Sequence, residues 1–193
     1  MAIDKKKMFA DALIGLCRDK HLSRITIKDI LEITGMCRQT FYNHFIDKND
    51  LINWTYFTRI TGDSRHLDER GLWGFVYDSH NYCVQHKNFF TQACSLEGQN
   101  TLKEYMIQHN YENYLNLVIE EYGEDVLTDE LLWAIEFNAY GAINMHIKWV
   151  NEGMLLPPEV KTRYVIGCIP DIIKRYLPDS PAKHNDVPEV SEE

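Results

Sequence analysis

The chain has 193 residues, of which 45% are hydrophobic, and a chain of this length buries either one compact core or two small ones. It contains no apolar run of about 18 residues or more, and no apolar segment follows the lysines near its amino terminus, so neither a membrane span nor a secretion signal is predicted. The five cysteines are scattered and contain no C-x-x-C pair, a pattern typical of reduced thiols. These features predict a cytoplasmic protein.

The net charge of −9 argues at first against a nucleic-acid partner, but the charge is unevenly distributed. Residues 1–50 contain nine Lys and Arg against seven Asp and Glu, a balance of +2. Residues 51–193 contain eleven Lys and Arg against 22 Asp and Glu, a balance of −11. A basic amino-terminal segment on an acidic body remains compatible with binding to phosphates.

The first 50 residues predict three short helices. Lys5 to Lys20 carries an apolar stripe at helical spacing, formed by Phe9, Ala12, Leu13, Leu16 and Cys17. Thr26 is a predicted N-cap of a second helix, which Gly35 ends, and a third helix follows. Two helices joined by a Gly-marked turn are typical of the helix-turn-helix, whose second helix lies in the major groove of DNA.

The rest of the chain also predicts helices, and no segment has the alternating pattern of a strand. Asp47 caps a fourth helix that runs to about Thr61, and further helical patterns cover 70–86, 88–94, 99–122, 128–152 and 157–177. The predicted fold class is therefore all-α, with a helix-turn-helix head on a larger helical bundle. We expect a DNA-binding domain over 1–47, a regulatory and dimerisation domain over 48–177, and a disordered acidic tail over 178–193.

The third helix has two chemically different sides. On a helical wheel Cys37, Phe41 and Phe45 share one side, which is expected to pack on the first two helices. The opposite side carries side chains that can reach base edges, since Arg pairs with guanine and Gln or Asn with adenine. Its members are Arg38, Gln39, Tyr42 and Asn43. The alternative is an ordinary surface helix with a solvated polar face.

Other polar residues of this segment suit phosphates, which position a protein on DNA without reading its sequence. Tyr42 and His44 lie further along the third helix. Thr26 and Lys48 stand at helix N-termini, where free N–H groups and the helix dipole favour a phosphate.

The run Thr40-Phe41-Tyr42-Asn43-His44-Phe45, followed by Lys48 and Leu51, resembles the signature of the TetR (tetracycline-repressor) family of regulators. The resemblance covers about residues 8–55, and it adds Thr40 to the expected DNA contacts. Within the family, the sequence is most similar to the subgroup of dihydroxyacetone-kinase operon regulators. It implies a homodimer that reads an inverted repeat with half-sites about 34–36 Å apart, or a multiple of that distance. One departure is Cys37, where the family has Ser or Thr; we interpret it as a small residue, with a redox-sensitive thiol as the alternative.

The predicted helix over 128–152 is apolar nearly all round between 131 and 150, so it must be covered on more than one side. In the resembling family the last two long helices form the dimer interface, and 128–152 with 157–177 match that arrangement. Closed two-fold dimers are also the commonest soluble oligomers. The alternative is a helix buried in the core of a single chain.

The body is rich in aromatic residues, which suit either an effector pocket or an ordinary core. Polar groups within its apolar segments are the candidate ligand contacts, namely His109, Glu136, Asn138, Tyr140, Asn144 and His146. The regulated event in the body is then the binding of either a small-molecule effector or a partner protein, because the resembling subgroup includes regulators that respond through a protein.

No cofactor, metal or enzymatic chemistry is predicted. The motifs of the common hydrolases, nucleotide-binding proteins and zinc proteases are missing from the sequence. His80 and Cys83 share a helix face, but His86 points away from them, so we expect a surface pair and no metal site. The sequence therefore predicts a transcriptional regulator, more specifically a repressor of an inverted-repeat operator. The alternative is an activator or adaptor whose body docks a partner protein and binds no small molecule.

Overall fold

The computed structural model describes residues 4–58, 70–98 and 100–177, and within these ranges it contains α-helices and no strand. The all-α fold class predicted from the sequence is therefore confirmed. The α-helices of the described residues are α1 Lys5–Leu16, α2 Ile27–Thr34, α3 Arg38–Tyr42, α4 Lys48–Tyr56, α5 Gly71–Gln85, α6 Lys87–Cys94, α7 Leu102–Tyr122, α8 Asp129–Asn151, α9 Pro158–Gly167 and α10 Asp171–Lys174.

The amino-terminal helices pack through the apolar stripe of α1. Phe9 and Leu13 are fully buried, and Leu16 at the end of the stripe is half-buried. The helix ends at Leu16, and not at Lys20, because residues 17–19 form a turn. The core around α1 continues into the body through Leu51 and Phe90 without a break.

The body is built on long helices that begin and end at recognisable signals. A capping box at Thr101 and Glu104 starts α7, and Thr128 caps α8 by accepting a hydrogen bond from the backbone N–H of Leu131. Gly123 and Gly153 follow α7 and α8 with φ of +80° and +86°, a conformation that favours glycine. α7 packs along α8, and α5 packs along α9.

The last predicted helix is wrong in one respect, because the segment 157–177 is two helices. α9 ends at Gly167 and α10 starts after Pro170, whose ring cannot continue a helix hydrogen-bonding pattern. Ile169 and Ile173 on either side of this break are buried in a second core with Val118 and Ile135.

Two sequence predictions lie outside the described residues. These are the end of the fourth helix near Thr61, since α4 ends at Tyr56 and the described segment stops at residue 58, and the tail over 178–193. Within the part of the chain that is described, no helix is both long and apolar enough to cross a bilayer.

Candidate nucleic-acid interface

Local hydrogen bonds define the start of α2 and the turn that joins α2 to α3. The Asp29 carboxylate accepts from the backbone N–H of Thr26 at 2.6 Å, and the Thr26 hydroxyl accepts from the backbone N–H of Asp29 at 3.2 Å. Gly35 ends α2 in the left-handed region at φ +67°, with its N–H donated to the Leu31 carbonyl. Cys37 then returns to extended backbone and starts α3. This geometry is the helix-turn-helix predicted from the sequence.

Aromatic packing fixes the inner side of α3. Phe41 is fully buried, and its ring contacts that of Phe9 edge to face with centroids 5.4 Å apart. Phe45 lies just beyond α3 and packs on both rings and on Trp54. α3 has five residues and would not form alone, so these rings hold it in place.

The outer side of α3 carries four exposed polar residues that bond to each other one turn apart. The Arg38 guanidinium donates to the Tyr42 hydroxyl at 3.2 Å and lies over its ring. The Gln39 amide donates to the Asn43 Oδ1 at 2.9 Å. The structure therefore brings Arg38, Gln39, Tyr42 and Asn43 together on one solvent-facing surface, which we call the α3 face.

Cys37 does not belong to the inner side of α3, contrary to the sequence interpretation. It is exposed because it stands at the N-cap position, where the backbone is still extended and the helical wheel does not apply. Its Sγ lies 3.2 Å from the Thr40 Oγ1. Hydrogen bonds from the side chain and backbone N–H of Thr40 lower the pKa of the Cys37 thiol.

Four expected DNA contacts remain, one within α3 and three on the segments before and after it. Thr26 is exposed and His44 and Thr40 are half-buried. Lys48, which is expected to contact a phosphate, also has a partner within the protein, since its ammonium donates to the carbonyls of Leu22 at 2.8 Å and Ile25 at 2.9 Å.

Direct hydrogen bonds connect the head to the body. The Gln92 side chain in α6 accepts from the backbone N–H of Leu22, and the Asn88 amide in α6 donates to the carbonyl of Cys17 at 3.4 Å. α6 therefore contacts the segment between α1 and α2.

One side of α8 is apolar and exposed. Trp133, Phe137 and Met145 have exposed fractions of 72%, 70% and 60%, and Tyr164 of α9 adds 59%. Gly141 lies on the same side of α8, and the space where a side chain at this position would begin has no atom within 4 Å. We call this surface the α8–α9 face. A contiguous apolar surface of this kind marks an interaction site.

A cavity of about 90 Å³ lies inside the body between α5, α7, α8 and α9. Among the ligand contacts expected from the sequence, His109 lines it. Glu136, Tyr140 and Asn144 do not, because they are exposed along the other side of α8. The structure therefore does not bring these three together with His109. Two further polar residues named from the sequence, Asn138 and His146, do line the cavity.

The sequence reasoning missed a buried amine in this cavity. Lys161 is 4% exposed, and its Nζ lies 2.6 Å from His80 Nε2 and 3.1 Å from His146 Nδ1. Burial lowers the pKa of Lys161 to about 7, and burial first, then nearby Lys161, lowers the pKa of both histidines. The available signal was the spacing of Lys161, Val165 and Ile169, which places the lysine on the inner side of α9.

His80 and Cys83 form no surface pair, because both are buried. His80 donates to or accepts from Thr162 Oγ1 at 2.9 Å, and Cys83 Sγ lies 3.8 Å from His146 Nε2. In the described ranges no three His, Cys, Asp or Glu side chains are grouped as metal ligands.

Comparisons with known proteins identify the family of this helical chain. The family profile described as "Transcriptional regulator C-terminal region", of the TetR type, matches residues 74–170. The chain is 25% identical over 115 residues to the HTH-type dhaKLM operon transcriptional activator DhaS of Lactococcus lactis subsp. lactis (strain IL1403), a match that spans 48% of this chain and 62% of that protein. A solved structure titled "Dihydroxyacetone kinase operon activator DhaS" has a similar fold, with a TM-score of 0.64 and 17% identity over 92% of this chain and all of that one. This chain belongs to the TetR family of transcriptional regulators and resembles the DhaS subgroup within it.

Proposed function

We propose that the protein is a sequence-specific DNA-binding regulator whose α3 face reads base edges in the major groove. The observation that carries this proposal is the pairing of Arg38 with Tyr42 and of Gln39 with Asn43 on a surface anchored by buried Phe41. Side chains already held by partners lose less conformational freedom on binding. Thr26, Thr40 and His44 are proposed to contact the backbone of the duplex.

We further propose a homodimer formed through the α8–α9 face, so that two heads bind an inverted repeat. Exposed Trp133 and Phe137 would be covered by the second copy, and the open space beside Gly141 admits its helix. The domain boundaries follow from this division of labour, with the head over 1–47 and the regulatory and dimerisation body over 48–177. Such a protein acts in the cytoplasm, where the chromosome of a bacterium lies.

The sign of regulation is proposed to be activation. Repression is typical of the family, but the curated relative and the solved structure are both named as operon activators. Genomic footprinting identifies the bound sites, and transcript levels of the adjacent genes in a strain lacking the protein then decide the sign. A fall in those transcripts supports activation, and a rise supports repression.

Regulation requires an event in the body that differs between the DNA-competent and DNA-incompetent states. The contacts of Gln92 and Asn88 with the α1–α2 loop make α6 the proposed connection. The event is either the binding of an effector in the cavity or the docking of a partner protein, and no enzymatic step is part of the proposal.

The test of DNA reading compares Arg38→Ala with Arg175→Ala, which removes the same charge from the exposed end of α10. Affinities are measured on a footprinted operator and on a scrambled duplex at the same salt concentration. Arg38→Ala should weaken operator binding by about tenfold or more and scrambled binding much less. Equal losses on the two duplexes would remove Arg38 from the base-reading set.

A further inference from the structure

The cavity in the body has an unusual set of lining side chains. Its ionisable groups are tyrosines and bases, and none of the described residues that line it is Asp, Glu or Arg. This contrasts with the balance of −11 over residues 51–193. The ionisable residues that line it are Tyr56, His80, His109, Tyr114, His146 and Lys161.

Lys161 is the focus of this site. Among the described residues, no other Lys, Arg, Asp or Glu side chain is buried. The Nζ of Lys161 lies over the Trp149 ring, 4.5 Å from its centroid. No carboxylate of the described residues lies within ion-pair distance of it. A buried ammonium without a counter-ion is costly, whereas a bound anion would stabilise it.

The two imidazoles leave room for such a ligand. When the amine donates to His80 Nε2 and His146 Nδ1, the protonated form keeps a third N–H. Asn110 also lines the cavity, and its Oδ1 is buried without a hydrogen-bond partner. An anionic oxygen at Lys161 and a hydroxyl at Asn110 would satisfy groups that the protein leaves open.

We propose that this cavity binds a small organic anion, whose carboxylate or phosphate oxygen accepts a hydrogen bond from Lys161. The cavity volume of about 90 Å³ suits a small acid of about two to four carbons. The inference rests on the effector alternative of the proposed function and names its ligand class, and a test without DNA keeps its failure distinct from a failure of α3 to read base edges.

Binding of this kind is linked to pH. The groups that face Lys161 from the helices packed around it keep their neutral form between pH 7 and pH 9, because burial lowers the pKa of His80, His109 and His146 and raises the pKa of Tyr56, Cys83 and Tyr114. Lys161, with a pKa of about 7, loses its proton across that range. Affinity for the anion should therefore fall about tenfold for each pH unit above 7.

The test measures thermal unfolding of the dialysed full chain without DNA. The probes are lactate, glycerate and inorganic phosphate, and lactamide is the neutral counterpart of lactate, all at equal ionic strength. An anion at a hundred times its Kd should raise the melting temperature by about 5 °C or more, and lactamide should not. A shift with lactate or glycerate indicates a carboxylate ligand, and a shift with inorganic phosphate indicates a phosphate ligand.

Two variants make the test specific. Lys161→Met keeps the length of the side chain and removes its charge, and it should abolish the shift relative to its own baseline. Lys148→Met removes an exposed lysine of α8 and should retain the shift. Three results would each overturn the proposal: no anion acts on the wild type, lactamide acts as well as lactate, or Lys161→Met responds like Lys148→Met. A shift that persists undiminished from pH 7 to pH 9 contradicts the role of the ammonium.

Discussion

The Gln39 side chain donates a hydrogen bond to the Asn43 Oδ1 across one turn of α3, with 2.9 Å between the atoms. Both side chains are exposed, yet each is held by the other beside the Arg38 and Tyr42 pair. Carboxamides so placed can turn to adenine edges as a unit.

We expect Gln39 and Asn43 to be coupled in operator binding. Gln39→Ala and Asn43→Ala should each weaken binding to the operator by about tenfold, and the double variant should lose less than the product, since each single change already disrupts the pair. Fluorescence anisotropy titrations on operator duplex measure these losses. Gln108→Ala is the matched control, because Gln108 makes the same kind of bond to Glu112 in α7. Wild-type affinity in both single variants would exclude the pair from DNA reading.

Lys48 is expected to act mainly as a structural clamp. Lys48→Met leaves the carbonyls of Leu22 and Ile25 without their cationic donor, so the free energy of unfolding should fall by about 1–3 kcal/mol. Chemical denaturation measures this loss, and Lys28→Met, at an exposed site of α2, should change stability little. A phosphate contact predicts another result, namely unchanged stability with a salt dependence of DNA binding that falls by about one unit.

The proposed dimer makes a prediction about Phe137, which is 70% exposed on the α8–α9 face. Phe137→Glu places a charge in the centre of the interface and should convert a dimer into a 22.7 kDa monomer of unchanged helicity. Light scattering after size-exclusion chromatography gives the mass, with circular dichroism for helicity. Tyr122→Glu changes an exposed aromatic residue at the end of α7 and should stay dimeric. A monomeric wild type would refute this interface.

Buried Lys161 should make the protein more stable at high pH. Its folded pKa of about 7 lies below the value near 10.4 of the unfolded chain, so the unfolded state binds more protons between these values and stability rises with pH across that window. Below pH 7 both states are protonated and Lys161 contributes no further change. Lys161→Met should therefore remove this pH dependence, which amounts to about 2–4 kcal/mol between pH 7 and pH 10.

Denaturation at pH 7 and pH 10 checks the prediction on protein free of bound anions. Lys148→Met serves as the exposed control and should retain the wild-type slope. If Lys161→Met is less stable than the wild type at pH 7 and keeps the slope, then the lysine is not the titrating group.

Local signals explain why the head was predicted well. The capping box of Thr26 and Asp29 and the left-handed Gly35 are set by residues within a few positions of each other. The α3 face needed only the helical period and one anchor, Phe41. Cys37 was misplaced because a helical wheel does not apply to a residue at the N-cap.

The body was predicted less well because its site depends on packing between distant segments. Lys161 meets His80 across 81 positions of sequence, and no local pattern encodes that approach. α8 is apolar on both sides, so its sequence could not tell the inner Asn138 and His146 from the outer Glu136. The inward side is set by α6, α7 and α10, which pack along α8.

The central claim is that the α3 face contacts DNA, and amide hydrogen exchange tests it most directly on the unaltered protein. Exchange is followed by mass spectrometry with and without a footprinted operator duplex. The account predicts that peptides covering 37–45 gain the strongest protection and that a scrambled duplex at the same salt concentration protects them less. Protection confined to the body, with exchange over 37–45 unchanged by the operator, would contradict it.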